Sequence, residues 1–83
     1  MAEAARRIFL VEADPGGDVL LRVLQAAQVQ GARVVGLEMT AATGAAIRME
    51  TAGLEPRRAE RLAARLRSLP AVRSVGLGWR VGE

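Results

Sequence analysis

Apolar positions along this chain come in successive blocks whose spacing alternates between the period of a strand and that of a helix. From Arg7 to Ala13 nearly every residue is apolar, with Ile8 and Leu10 pointing one way and Phe9 and Val11 the other. This pattern predicts an interior strand, covered on both faces or nearly so. The next block changes period. Val19, Leu20, Val23, Leu24 and Ala27 form one stripe of a helix from Val19 to about Val29, and Leu21 and Val29 fall off it as semi-exposed residues. Gly31 reads as a left-handed cap that stops the helix. Alternation returns from Arg33 to about Ala41, where Val35, Leu37 and Met39 share one face and Gly36 and Glu38 the other. Thr43-Gly44 reads as a turn into a third strand, Ala45 to Thr51, with Ile47 and Met49 inward and Arg48 and Glu50 outward. Gly53 ends that strand. A second helix runs from Pro56, at its first position, to about Leu69, burying Ala59, Leu62, Ala63, Leu66 and Leu69; Pro70 ends it. The last strand, Arg73 to Val81, sets Val75, Leu77, Trp79 and Val81 on one face and Ser74, Gly76, Gly78 and Arg80 on the other.

The resulting order is strand–helix–strand twice over. Right-handed crossovers that each leave room for one strand give an α+β, ferredoxin-like βαββαβ sandwich. Its antiparallel sheet would run four-one-three-two, with both helices on one face. The open face would then carry Glu12, Glu38, Arg48, Glu50 and Arg80. Strand two becomes an edge guarded only by Arg33 and Glu38, which makes it the expected site of sheet extension in a homodimer. Residues 7–81 form one domain, preceded by a flexible segment 1–6 rich in Ala, Glu and Arg.

The junction between the first strand and the first helix, Glu12-Ala13-Asp14-Pro15-Gly16-Gly17-Asp18, is the most informative segment. Asp14 suits an N-cap and Pro15 a first helical residue, so bare backbone N–H groups would face solvent there and attract a small anion or carboxylate. The same residues also suit a plain helix start with nothing bound.

Composition removes several chemistries. There is no Cys and no His, hence no thiol nucleophile, no thiolate zinc site and none of the commonest general base. No catalytic or metal-binding constellation is expected. All twelve cations are Arg, set against nine acids for a net charge of +3. That mild surplus, in a Lys-free sequence rich in Ala, Arg and Gly, reads as the coding bias of a GC-rich bacterium and not as a nucleic-acid surface. An RNA-binding sheet of this shape would need aromatics on its central strands, and only Phe9 and Trp79 are aromatic in the chain. No apolar run approaches a membrane span or a signal core, so a cytoplasmic protein is expected.

Several residue strings resemble the ACT domain, the small regulatory module of amino-acid metabolism. These are Asp14-Pro15-Gly16, Val19-Leu20-Leu21-Arg22-Val23-Leu24, Gly31, and Val34-Val35-Gly36-Leu37. Within that family the chain is most similar to the short, single-domain regulatory subunit of acetolactate synthase. Met39-Thr40-Ala41-Ala42 and Val72-Arg73-Ser74-Val75 carry the likeness further. The resemblance implies a non-catalytic homodimer that binds no cofactor itself and activates a thiamine-diphosphate-dependent catalytic large subunit. In the longer subunits of that type a valine-like amino acid is the effector; the short ones are commonly insensitive to it and often lack the Pro-Gly turn, which this chain keeps, so an effector stays open here. Asp14, Gly16, Gly17, Asp18 and Arg33 are the candidate effector residues, and Arg57, Arg61 and Arg65 the candidate partner contacts. Arg33 stands where many effector-binding members carry an amide, so it is either a carboxylate clamp or an edge charge. The arginine flank is either a docking face or a solvated one. A standalone amino-acid sensor acting on another enzyme or on a transcription factor is the second reading.

Overall fold

The computed structural model describes residues 5–15, 18–41 and 44–81, and the side chains of 79–81 and of Ala5 lie outside that description. Expectations that rest on Gly16, Gly17, Ala42 and Thr43, or on the Trp79 and Arg80 side chains, therefore fall outside the described residues.

The elements follow the expected order: β1 (Ala5–Ala13), α1 (Val19–Val29), β2 (Arg33–Thr40), β3 (Ala45–Ala52), α2 (Pro56–Arg67) and β4 (Val72–Val81). They build a four-stranded sheet of order β2-β3-β1-β4, every neighbour antiparallel. This is the ferredoxin-like βαββαβ arrangement. β1 begins at Ala5, two residues before the expected start, and Arg6 pairs in register with both Ala52 and Arg80.

Both helices pack on one face. Phe9, Val11 and Ala13 from β1 meet Ala45, Ile47 and Met49 from β3, under Val19, Val23, Ala26 and Ala27 of α1 and Ala59, Leu62, Ala63 and Leu66 of α2. Burying each large aliphatic or aromatic side chain of this set contributes about 1.5–3 kcal/mol. The second face of β1 is not covered, contrary to the sequence reading. Leu10 is 52% exposed there, because neither helix reaches that side. Two short helices also fail to span four strands. Val35, Leu37 and Met39 face the helix side of the edge strand yet remain 40–45% exposed.

Helix ends explain where the chain turns. At the end of α1, Gly31 adopts φ +76° and the Ala32 N–H donates to the Ala27 carbonyl (3.0 Å) while the Gly31 N–H donates to that of Gln28 (3.0 Å). This pair of bonds is the Schellman closure that a left-handed glycine permits. Arg58 at the start of α2 adds a bond to the Gln30 carbonyl (3.2 Å), satisfying another terminal acceptor. Gly53, at φ +74°, ends β3 as expected.

Two bulges break the alternation. Val34 pairs with Thr51 and Gly36 with Glu50, so Val35 is the extra residue on β2. The slip turns Val34 toward the core, where it packs as a partly buried residue. On β4, Glu12 pairs with Ser74 and Ala13 with Val72, leaving Arg73 as the extra residue.

Two polar residues lie inside. Glu50 sits on the open face as expected but is only 5% exposed, bridged by Arg6 (3.2 Å) and Arg48 (3.7 Å). Thr51 is fully buried on the helix side, and its Oγ1 meets no hydrogen-bond partner among the described residues. Thr51→Val keeps the shape and removes the unpaired hydroxyl. It should raise stability by about 1 kcal/mol, or about 4–8 °C in Tm for a domain of this size, by calorimetry. An unchanged Tm would show that the hydroxyl has a partner in solution.

Candidate functional site

The β1–α1 turn is held by β4 and not by helix capping. The Asp14 N–H donates to the Ala71 carbonyl (2.8 Å), and Arg73 Nε donates to Asp14 Oδ1 (2.6 Å). Arg73 reaches Asp14 because the β4 bulge takes it out of the ladder. The expected N-cap at Asp14 and first helical residue at Pro15 are thereby corrected. With its backbone tied to Ala71, just before β4, and its side chain to Arg73, Asp14 cannot cap α1. The actual N-cap is Asp18 (φ −116°, ψ 35°), and Val19 opens the helix.

Asp18 does not cap with its side chain either. Its carboxylate accepts from Arg22 Nε one turn on (3.1 Å). That hydrogen bond, with a backbone bond and the Arg22 charge, holds the Asp18 carboxyl below its ordinary value of 3.8. The contact is present above that ordinary value and is lost as pH falls through the lowered one. The first turn of α1 thus keeps its N–H groups free of any side-chain cap, at the positive end of the helix dipole.

The structure brings Asp14 and Asp18 to one end of the sheet and places Arg33 at the other. Arg33 pairs with Ala52, whereas Ala13 pairs with Ala45 at the turn end. The length of β2 separates them, roughly 23 Å at strand rise. Within one chain they do not form a common site.

A cavity of about 260 Å³ lies beside the turn, lined by Glu12, Ala13, Thr40, Gly44, Ala45, Ala46 and Arg73. Sequence reading placed Glu12 at this junction but missed Thr40 and Arg73 as members of this end of the fold. Ser74 Oγ donates to Glu12 Oε1 (3.2 Å), so the carboxylate and the guanidinium of this cavity are each fastened to a neighbour. The only forward signal was strand order, which sets the start of β4 beside the end of β1.

The candidate partner contacts lie on α2. Arg57, Arg61 and Arg65 are exposed at four-residue spacing. Among the described residues their guanidinium groups meet no hydrogen-bond or ion-pair partner, while Arg58 bonds Gln30 and Arg67 approaches the Val75 carbonyl (3.5 Å). No group of three or more Cys, His, Asp or Glu side chains converges among the described residues. No helix among them is long and apolar enough to cross a membrane.

No family model matches the sequence. No curated protein matches it either. Solved structures do. The ACT domain of GTP pyrophosphokinase from Chlorobium tepidum superposes with a TM-score of 0.78 at 9% identity, covering 90% of this chain and 99% of that one. The C-terminal domain of the MgtC protein from Mycobacterium tuberculosis superposes with a TM-score of 0.76 at 17% identity, covering 96% and 90%. At such identities the likeness speaks for the fold alone, which is that of an ACT-type ferredoxin-like sandwich.

Fastening by Arg73 has a measurable side. Arg73→Ala should leave stability within about 1 kcal/mol, since the pair is exposed. It should nevertheless raise fast backbone motion at residues 14–18 in NMR relaxation. Unchanged order parameters there would show that the Asp14–Ala71 bond alone sets the turn.

Proposed function

We propose that this chain is a regulatory, non-catalytic domain that acts as a homodimer through the β2 edge and responds to a small amino acid. The observation that carries the reading is the bare apolar stripe Val35, Leu37 and Met39 on an unpaired edge. Monomeric domains avoid such edges, and a second copy adding its β2 antiparallel would cover the stripe and complete the strand's hydrogen bonds. The fold similarity to an ACT domain supports a regulatory role by analogy.

The same two-fold pairing gives Arg33 a use. In an antiparallel β2–β2 seam, Arg33 of one copy comes to the sheet end that carries the Asp14–Asp18 turn of the other. An effector carboxylate would meet the guanidinium and the free N–H groups of α1, and its ammonium would meet a carboxylate. Effector binding in the seam would bias the dimer between two states by its differential affinity.

The finer reading comes from the sequence resemblance. The chain would be the small regulatory subunit that binds and activates the catalytic large subunit of acetolactate synthase, with a valine-like effector. A sensor for another metabolic enzyme is the second reading. It is favoured by the likeness to an ACT domain taken from GTP pyrophosphokinase.

Leu37→Glu with Met39→Glu should halve the mass seen by light scattering. An unaltered mass would remove β2 from the seam. Valine, leucine or isoleucine at a hundred times its dissociation constant should add about 2.7 kcal/mol in thermal unfolding. The shift should disappear in Arg33→Ala. No shift with any amino acid would leave a docking subunit without its own effector, to be tested by reconstitution with an acetolactate synthase catalytic chain.

A further inference from the structure

The outer surface of the helical layer has two unlike walls. α1 carries one charged residue, Arg22, and its rim runs Leu21, Gln25, Val29 at four-residue spacing. Leu21 is 54% and Val29 80% exposed, so this rim is neutral and aliphatic in open water. α2 carries five arginines against one glutamate. Between the helices lies a groove of about 540 Å³, with Ala26, Val29 and Leu69 supplying apolar surface and Arg22 and Arg65 both lining it. Arg22 is paired with the Asp18 carboxylate, whereas the Arg65 guanidinium has no ion-pair partner among the described residues. An uncompensated cation at the border of a groove lined by Gln25, Gln28 and Gln30 beside its apolar residues favours an anion there.

We propose that this groove docks an acidic amphipathic helix of a protein partner. Charge and shape select that occupant. From Arg22 to Gln30 the groove spans about 12 Å at helical rise, or two turns of a guest helix. The guest's aliphatic stripe would cover Val29, Leu69 and the Leu21 rim. Its acidic flank would meet Arg61 and Arg65, whose guanidinium groups have no other partner among the described residues. A nucleic acid would satisfy the arginines but would leave the aliphatic rim in water. Burial of Val29 and the reach of the arginines together fit a helix laid in a groove. Such docking leaves the β2 edge free. The inference rests on the reading of this chain as a docking module, and not on which enzyme it regulates.

The test uses the whole chain and a fluorescein-labelled, sixteen-residue helical peptide with Leu at positions spaced three and four apart and Glu beside them. Fluorescence anisotropy should show saturable binding that weakens at least tenfold from 50 to 500 mM salt. Val29→Glu should weaken it about tenfold, and Arg61→Gln with Arg65→Gln at least as much. Both variants should keep the wild-type Tm, since the three positions are exposed. Amide cross-peaks of Ala26, Val29 and Leu69 should shift on titration. Equal binding of a peptide with Gln for every Leu, or of a DNA oligonucleotide of equal charge, would reduce the groove to a general anion surface and overturn the proposal. So would equal binding of a peptide with Lys for every Glu, or binding untouched by Val29→Glu. Because no catalytic chain is present, loss of this binding and failure to activate acetolactate synthase are separate results.

Discussion

Coverage is the constraint on which the rest of this structure depends. A sheet of four strands offers two faces and two edges, and helices of eleven and twelve residues can close only part of one face. The chain places its best core, Phe9, Val11, Ile47 and Met49, under the helices and along the two central strands. Everything less well buried moves outward from there. Leu10 is left on the open face, and Leu37 and Met39 are left beyond the reach of α1. The features that suggest partners are thus consequences of size, since a small domain runs out of material to bury its own surface.

Polar interactions then decide what the uncovered face looks like. Glu50 stands on the central strand β3, paired across with Ile8 and Gly36. Arg6 and Arg48 bring their guanidinium groups to its carboxylate, each arginine remaining about 40% exposed. The charge is buried, yet Arg6 and Arg48 keep contact with water. This arrangement limits the desolvation cost that a fully enclosed pair would carry. It also fixes the first residues of β1, because Arg6 cannot fray without uncovering the carboxylate.

Element order was legible in the sequence because the apolar period changes at each junction, and right-handed crossovers then leave a single economical strand order. Gly31 as a left-handed cap and Gly53 as the end of β3 were legible for the same local reason. Where the sequence reading failed, the cause lay in pairing between distant strands. Asp14 looks like a helix cap beside Pro15, but its partner is Arg73, 59 positions away. Neither bulge has a local signature. Val34 and Val35 are equivalent in type, and only the register with Thr51 and Glu50 makes Val35 the extra residue and lets Val34 pack against the core. Glu50 reads as a surface acid in alternation, and its burial involves Arg6 from β1, 44 positions away. Arg33 was read beside the turn because both fit one ligand, whereas strand direction puts them at opposite ends.

The extra residue at Val35 has a bearing on polymerisation. A flat, regular edge accepts a neighbouring strand in many registers and offers the same template again at the far side, which is how ribbons grow. An edge with a bulge near one end is no longer periodic. A strand laid beside it finds its hydrogen bonds aligned over the segment from Gly36 to Thr40 and interrupted beyond it. Slipped registers forfeit part of that short run. The kink therefore works against open-ended growth and favours arrangements that close on themselves.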